Sequence, residues 1–306
     1  MRKNFKVLSI ILFLLACLLI LGFLLINGKN VAVLNPAGTI ADSERQLIIL
    51  GCFLSLIVVL PVYFLTIYIV FKYRADNIKA KYTPEWDHNK IIEGLWFGIP
   101  SAIILVLSII TWVSSHSLDP YKPLSSNINP ITIQVVSLDW KWLFIYPKYN
   151  IASVNYFQFP VNTPVDFQIT SDTVMNSFWI PNLGSQIYAM PGMNTQLHLI
   201  AQKRGRFPGS SANISGNGFS GMTFTAQSTS NDTFHRWINS IKKDNKPLNN
   251  MEYLKLSKPS SYNAVQYFSS VQVNLFKDIV DKYMIPLKAL NANTSSMYNM
   301  NMKGNG

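Results

Sequence analysis

A glycine-, serine- and asparagine-rich stretch, GSSANISGNGFSGM at residues 209–222, has the residue spacing of a metal site. We call it the glycine-rich loop. Four of its positions are separated by three, three and two residues, and they are Ser211, Ser215, Phe219 and Met222. A further polar position, Asn176, lies upstream in VMNSFWIPNLG. Thiolate, imidazole and thioether groups at such positions would bind copper, whereas hydroxyl, phenyl and amide groups would not. Taken alone, the stretch predicts only a loop.

Stretches on both sides of this loop have the residue pattern of β-strands. Residues 131–147, 164–171 and 195–202 alternate β-branched or aromatic side chains with polar ones, and clusters of Pro, Gly and Asn separate them. Short strands with turn signals between them indicate a β-sandwich or β-barrel. Trp140 and Trp142 lie two positions apart, so we expect both on one face of the same strand, in a packing role.

The C-terminal part of the chain has helical periodicity. In residues 232–245, apolar side chains recur at the spacing of one helix face, at Phe234, Trp237, Ile238 and Ile241. Residues 264–285 predict a second helix that stops before Pro286. The closing MYNMNMKGNG is polar and glycine-rich, which predicts a disordered tail.

Apolar runs precede the predicted β domain, at residues 7–26, 47–71 and 91–113. Each is long enough to cross a hydrocarbon core of about 30 Å as a helix. The whole chain is 49% hydrophobic and only 13% charged, about half the charged fraction of an average soluble protein. These features predict a membrane-anchored α+β protein with two or three transmembrane helices, an outer β-barrel or β-sandwich and a short C-terminal helical extension.

The basic residues predict which side of the membrane each segment occupies. They cluster in residues 2–6 and 72–90, and Lys and Arg near the ends of spans are retained on the cytoplasmic side. The amino terminus and the loop at 72–90 are therefore expected in the cytoplasm. The β domain is expected outside, in the periplasm, with the helices in the inner (cytoplasmic) membrane of a bacterium.

The first apolar run has more than one interpretation. A basic start and an apolar stretch also describe a signal peptide, but its apolar region is usually about 7–15 residues long. The longer run here favours a retained anchor. Residues 14–17 (LLAC) resemble a lipoprotein processing site, yet the chain continues apolar after Cys17. Signal segment, lipoprotein and anchor all stay open for residues 1–30.

The expected segments are an anchor or signal at residues 1–30, a transmembrane hairpin with a cytoplasmic loop at 31–113 and a periplasmic domain at 114–230. An aromatic-rich helical extension follows at 231–290 and a disordered tail at 291–306. The net charge is +11, but the basic residues from 114 onward are scattered and no nucleic-acid-binding motif accompanies them. A nucleic acid is therefore excluded as a partner. Cys17 and Cys52 both lie in apolar runs, so no disulfide framework is expected.

Together with the apolar runs and the basic loop, the strings DWKWLFIYP, VMNSFWIPNLGSQIYAMPGM and GSSANISGNGFSGM resemble subunit II of the haem–copper terminal oxidases. The resemblance covers nearly the whole chain, from about Leu34 to Tyr283. It implies a cupredoxin-like outer domain. In the cytochrome c-oxidising members of that family, this domain holds a dinuclear copper centre.

The resemblance assigns each copper-ligand position to a residue of this chain. The upstream histidine falls on Asn176, the bridging cysteines on Ser211 and Ser215, and the second histidine on Phe219. The glutamate between the cysteines falls on Asn213, and the methionine is kept as Met222. Hydroxyl groups cannot replace bridging thiolates, so no metal is expected in this chain.

This loss of ligands is similar to the quinol-oxidising branch of the family, the cytochrome bo-type ubiquinol oxidases. A water-soluble cytochrome delivers electrons at the aqueous surface and needs a metal relay there. A quinol is dissolved in the membrane and can reduce haem in the partner subunit directly. The resemblance implies a complex that reduces oxygen to water and pumps protons, with haem and copper in a partner subunit I, further membrane subunits, ubiquinol as substrate and surrounding lipid. In that branch a lipidated cysteine is common where this chain has Gly28 and Lys29.

Glu93 is the candidate for proton uptake. An ionisable side chain inside a membrane span is costly and often functional, and the resemblance places Glu93 at the mouth of a proton path into the catalytic subunit. The alternative is an interfacial carboxylate, solvated or paired with Lys90.

Two other functions compete with a quinol oxidase subunit. One is an electron relay as cytochrome c oxidase subunit II, which needs the missing copper ligands. The other is a membrane-anchored binding domain without a respiratory role.

Overall fold

The computed structural model describes residues 31–75, 77–81 and 83–284, together with Gly22. The predictions for the first apolar run, for lipidation near Cys17 and for the tail at 291–306 lie outside the described residues. The chain forms two compact units. One is Ser43–Asp119, and the other joins the described residues up to Asp42 with those from Pro120 onward.

The first unit contains most of two long apolar helices. Helix α1 spans Thr39–Lys72 and helix α2 spans Lys90–Ser117, which confirms the helices predicted over residues 47–71 and 91–113. Both are long and apolar enough to cross a membrane. Asn89 is the N-cap of helix α2, and its Oδ1 accepts hydrogen bonds from the N–H groups of Ile91 and Ile92. These donors lack partners within the helix, so the cap stabilises its first turn.

The second unit is a β-sandwich. Its strands are β1 Ile131–Leu138, β2 Lys141–Tyr146, β3 Ile151–Val154, β4 Tyr156–Pro160, β5 Val165–Ser171, β6 Asn176–Trp179, β7 Ile187–Ala189, β8 Thr195–Leu199, β9 Gly205–Ser211, β10 Thr223–Thr229, β11 Pro247–Leu248, β12 Gln266–Phe268 and β13 Ser270–Val271. One large sheet has the order β12-β3-β2-β1-β5-β8 and the other the order β4-β10-β9-β6-β7, and β11 and β13 form a separate two-stranded sheet. Strand β1 pairs in parallel with β5, and β4 with β10, so both sheets are mixed. The predicted β-sandwich is confirmed.

Aromatic side chains fill the space between the two sheets. Trp142 and Phe144 from β2 meet Phe178 from β6 and Phe224 from β10, and all of them are buried. The rings of Phe178 and Phe224 stack, with centroids 5.0 Å apart and planes only 3° from parallel. Each such side chain contributes about 1.5–3 kcal/mol when it leaves water, so this cluster is a main source of stability for the sandwich.

The C-terminal extension covers the other face of the six-stranded sheet. Its helices are α3 Asn231–Lys243, α4 Asn250–Leu256 and α5 Leu275–Lys282. Helices α4 and α5 pack on this face, whereas the buried residues of α3 belong to the core cluster that contains Trp142 and Phe178. Leu138 and Leu143 of the sheet pack against Leu256 and Phe276 in a second hydrophobic cluster. Strand β2 and the second half of β1 are therefore buried on both faces, and five consecutive residues of β2, Trp142–Tyr146, are apolar or aromatic.

The helix predicted over residues 232–245 is confirmed as α3, whereas the helix predicted over residues 264–285 is wrong in its first half. Residues 266–271 form β12 and β13, and only Leu275–Lys282 is helical. Strand β12 adds to the sheet edge by pairing with β3, with Gln266 opposite Val154. Sheet pairing supplies backbone hydrogen bonds that a local apolar pattern cannot indicate.

The stretch at residues 131–147 is not one strand but a hairpin. Leu138 pairs with Lys141, which leaves Asp139 and Trp140 as a two-residue turn. Trp140 has the left-handed backbone angle φ of 59°, as hairpin turns often require. The expectation that Trp140 and Trp142 share one strand face is therefore wrong: Trp142 lies in the core and Trp140 lies in the turn.

The segment leading into α1 is attached to the β-sandwich. The Asn182 side-chain amide donates hydrogen bonds to the carbonyls of Ala32 and Asn35. The N–H of Ala37 donates to the Asn182 carbonyl, and its own carbonyl accepts from Gln202 N–H, both at 2.8 Å. These contacts hold residues 32–37 against the β-sandwich.

Candidate functional site

The glycine-rich loop connects β9 to β10, and the sheet brings Asn176 to its base. Ser211 is the last residue of β9, and Met222 directly precedes β10. Strand β6, which begins at Asn176, pairs with β9 so that Phe178 lies opposite Ser211. Asn176 and Ser211, 35 positions apart in sequence, are therefore neighbours in the fold.

Asn176, Ser211 and Asn213 form one hydrogen-bonded network. The Ser211 hydroxyl lies 3.1 Å from both Asn176 Oδ1 and the Asn213 carbonyl, so its single proton serves two acceptors. Asn176 Nδ2 donates to the Val174 carbonyl at 3.2 Å, and Asn213 Nδ2 donates to the Met175 carbonyl at 3.0 Å. Asn176 is 1% and Ser211 4% exposed. Every member is neutral, which suits a buried polar network.

The other candidate positions make their contacts elsewhere. The Ser215 carbonyl accepts a hydrogen bond from Trp140 Nε1 at 3.2 Å. Phe219 opens a single 3₁₀ turn, Phe219–Gly221, and is half-buried. Met222 is fully buried in the core, and its carbonyl accepts from Ser211 N–H at 3.3 Å. Sequence spacing alone did not separate these packing positions from the polar network.

The residues of the loop do not fit a copper centre. Copper is bound by thiolate, imidazole and thioether groups, whereas the donors that converge here are hydroxyl and amide oxygens. Within residues 31–75, 77–81 and 83–284, no group of three or more His, Cys, Asp or Glu side chains is placed to hold a metal ion. We therefore assign no metal-dependent reaction to these residues.

Glu93 lies in the first turn of α2, and its side chain is exposed. Its Oε1 accepts a hydrogen bond from the backbone N–H of Asn89 at 3.1 Å. Asn89 in turn caps the helix with its own side chain, so the two residues cap the α2 terminus reciprocally. A carboxylate there also interacts favourably with the helix dipole. The geometry gives Glu93 a capping role, and its part in proton uptake stays a prediction.

Asp172 is a buried carboxylate that sequence reasoning missed. Its side chain is 3% exposed and accepts hydrogen bonds from the hydroxyls of Tyr253, at 2.7 Å, and Tyr283, at 3.0 Å, and from Lys282 Nζ, at 2.8 Å. Burial, followed by the neighbouring Asp172 charge, raises the pKa of Tyr253 far above its ordinary value. These partners lie 81 to 111 positions away along the chain, so no local signal could have revealed them.

Lys141 is a second buried charge that the sequence did not indicate. It is 1% exposed, and its Nζ donates to the carbonyls of Leu256 and Lys258, each at 2.8 Å, and to Ser260 Oγ at 2.6 Å. Burial lowers the pKa of this ammonium, and the negative charge of Asp139 opposes the effect. Because Leu256 ends α4, Lys141 neutralises the carbonyl end of that helix.

Two family models match this part of the chain. Residues 150–229 match the model described as "Cytochrome C oxidase subunit II, periplasmic domain". Residues 242–286 match the model described as "COX Aromatic Rich Motif". The second match falls within the extension that covers the six-stranded sheet.

The chain is also similar to curated proteins over most of its length. It is 50% identical to cytochrome bo(3) ubiquinol oxidase subunit 2 of Pseudomonas putida over 263 residues, which is 86% of this chain and 84% of that protein. It is 46% identical to ubiquinol oxidase subunit 2 of Acetobacter aceti over 289 residues, 92% of this chain and 94% of that protein. The chain belongs to the ubiquinol oxidase subunit 2 family.

Solved structures give a weaker match. The periplasmic domain of subunit II of cytochrome oxidase of Bradyrhizobium japonicum is 24% identical and covers 40% of this chain and 98% of that chain, with a TM-score of 0.37. The family assignment and the two long apolar helices make the chain a membrane-anchored haem–copper oxidase subunit with an outer domain. The β-sandwich and the periplasmic-domain match also confirm the expected cupredoxin-like fold.

Proposed function

We propose that the chain is subunit II of a proton-pumping ubiquinol oxidase that reduces oxygen to water in the respiratory chain, in the inner membrane of a bacterium. The observation that carries this proposal is the 46% to 52% identity to proteins named subunit 2 of ubiquinol oxidases. The catalytic centre, with its haem and copper, belongs to a partner subunit I. This chain docks on that subunit within the membrane, beside further subunits and lipid.

The chemistry of the glycine-rich loop supports a quinol as the electron donor. We propose that Asn176, Ser211, Asn213, Ser215, Phe219 and Met222 occupy the positions of a lost copper site. Neutral hydroxyl and amide groups cannot change oxidation state, so the outer domain offers no relay for a water-soluble donor. A quinol dissolved in the membrane needs no such relay.

The donor can be tested with the purified complex. We expect haem to copurify with this chain and oxygen consumption to depend on ubiquinol, not on reduced cytochrome c. A haem-free preparation without quinol-dependent oxygen consumption would instead support a binding domain outside respiration. Oxygen consumption driven by reduced cytochrome c, together with stoichiometric copper in the outer domain, would favour the relay function of a cytochrome c oxidase subunit.

We also propose that Glu93 takes part in proton uptake by the complex. Its carboxylate lies in the first turn of an apolar helix, and an ionisable side chain within a membrane span is costly and often marks a functional site. Helix capping is the competing explanation, because Oε1 already accepts the Asn89 N–H. The two roles differ in what they require: capping needs an acceptor oxygen, whereas proton transfer needs a titratable group.

Glu93→Gln separates these roles. Glutamine keeps an oxygen that accepts the Asn89 N–H but cannot release a proton at neutral pH. We expect the Gln variant to assemble normally and to consume oxygen more slowly, with slower proton uptake. Glu93→Ala, which loses both roles, is the matched comparison. Normal proton uptake by the assembled Gln variant would refute the role in proton uptake and would show that Glu93 only caps the helix.

A further inference from the structure

The glycine-rich loop has little regular structure of its own, so its shape depends on what packs against it. One backbone hydrogen bond, from Ser211 N–H to the Met222 carbonyl, joins the two ends of the loop, and its other internal backbone hydrogen bonds are short-range, from Phe219 N–H to Gly216, from Gly221 N–H to Gly218 and from Met222 N–H to Phe219. Gly216 has a φ of +115°, which side chains rarely allow. Such a segment has a large conformational freedom to lose when it is ordered.

Two aromatic rings lie against the glycines of this loop. The Trp140 ring covers Gly218 so closely that a Cβ atom there would overlap it, and Trp140 Nε1 binds the Ser215 carbonyl. The Tyr262 ring lies over Gly221, 2.9 Å from where a Cβ would be, and its hydroxyl is 3.0 Å from Ser220 Oγ. We call Trp140 and Tyr262 the aromatic clamp.

The C-terminal extension positions both halves of the clamp. Tyr262 belongs to it, and the turn that carries Trp140 is tied to the same segment. Ser260 N–H donates to the Asp139 carbonyl at 3.3 Å, and the buried Lys141 ammonium donates to Ser260 Oγ. A third contact runs from Asn155 Nδ2 to the Asn263 carbonyl at 3.0 Å.

Both residues of the aromatic clamp have a left-handed backbone conformation. Trp140 has a φ of 59° and Tyr262 a φ of 55°, a region in which bulky residues are uncommon. Residues are held there only where the surrounding structure fixes them. For Trp140 the hairpin turn between β1 and β2 supplies that constraint. For Tyr262 it comes from the hydrogen bonds at Ser260 and Asn263.

We propose that the aromatic-rich extension orders the glycine-rich loop. Through the aromatic clamp it holds the loop in one conformation by side-chain packing, without a metal ion. The extension therefore has two tasks, to cover the outer face of the six-stranded sheet and to order the loop at the end of the sandwich. This role does not depend on the electron donor, so it can fail while the proposed function stands.

The test is amide hydrogen exchange in the purified protein carrying Tyr262→Asn. Tyr262 is 74% exposed, so its removal leaves the core intact, and asparagine tolerates positive φ. One ring contact and one hydrogen bond are lost, which is expected to accelerate exchange at the N–H groups of Phe219, Gly221 and Met222 by roughly tenfold. The amides of β1 and β2 report on the fold and should exchange at the parent rate.

Two matched variants complete the experiment. Tyr262→Phe keeps the ring and loses only the hydroxyl, so it should accelerate loop exchange by no more than about fivefold. Tyr188→Asn removes another exposed tyrosine, in β7, and should leave the loop unchanged. Unchanged loop exchange in Tyr262→Asn would overturn the proposal. Acceleration spread equally over β1 and β2 would overturn it as well, because the ring would then stabilise the whole domain instead of the loop.

Discussion

Replacement of Asp172 by alanine tests how strongly the extension is attached to the β-sandwich. Asp172 directly follows β5 and receives hydrogen bonds from Tyr253 in α4, from Lys282 at the end of α5 and from Tyr283 just beyond it. One carboxylate therefore links α4 and the end of α5 to the six-stranded sheet. Alanine removes the acceptor and leaves the Tyr253 hydroxyl buried without it.

The magnitude follows from the burial of each partner. A hydrogen bond to a charged group contributes about 1.5–3 kcal/mol, and this applies to the Tyr253 hydroxyl, whose acceptor is the carboxylate. The Tyr283 hydroxyl also donates to the Asp172 backbone carbonyl at 2.8 Å, an acceptor that alanine keeps. The ammonium of Lys282 is more than half exposed, and its ion pair is screened by water to about 1 kcal/mol or less. We therefore expect Asp172→Ala to lower the free energy of unfolding by about 1.5–3 kcal/mol, most of it through Tyr253.

The assay is denaturant unfolding of the purified protein, extrapolated linearly to water. Hydrogen exchange in α4 and α5 reports whether the extension detaches before the sandwich unfolds. Asp281→Asn is the matched control, because it breaks an exposed ion pair with Lys277 in the same helix. An exposed pair four residues apart contributes only about 0.3–0.5 kcal/mol. If Asp172→Ala is no more destabilised than this control, the attachment through Asp172 is refuted.

Two further changes follow from the same contacts. Gly209→Ala places a Cβ atom into the ring of Phe224, so we expect overpacking to cost about 1–3 kcal/mol in the same unfolding assay; parent-like stability would contradict the close approach. At alkaline pH, burial raises the pKa of Tyr146 and Tyr253 above 10.0, so the folded protein holds protons that the unfolded chain releases. The contribution of these protonated tyrosines to the free energy of unfolding is fully present below pH 10. Above pH 10 it falls by about 1.4 kcal/mol per pH unit for each tyrosine. The lowered pKa of Lys141 has the opposite sign, because it makes the fold more stable as pH rises towards 10.5. Denaturant midpoints measured across this pH range show whether the tyrosines or Lys141 have the larger effect on stability. A midpoint that does not fall above pH 10 would show that the effect of the tyrosines is not the larger one.

Local patterns were sufficient for the features that depend on neighbouring residues. The apolar runs predicted α1 and α2, and the spacing of Phe234, Ile238 and Ile241 predicted α3. The missing thiolates and imidazoles of the glycine-rich loop are a property of residue type, so the sequence already excluded copper chemistry there. The family resemblance supplied the proposed role of Glu93, which the fold leaves as a prediction.

Tertiary structure decided the features that depend on residues distant in the chain. The strand at Gln266–Phe268 exists because the edge of β3 offers it backbone hydrogen bonds, and its own sequence pattern favoured a helix. The buried charges of Asp172 and Lys141 have partners more than 80 positions away, and nothing in their local sequence distinguishes them from solvated residues. A buried charge is stable only where the fold brings several hydrogen-bonding partners to it. Residue types thus determined what the loop cannot bind, and long-range packing determined what holds it in place.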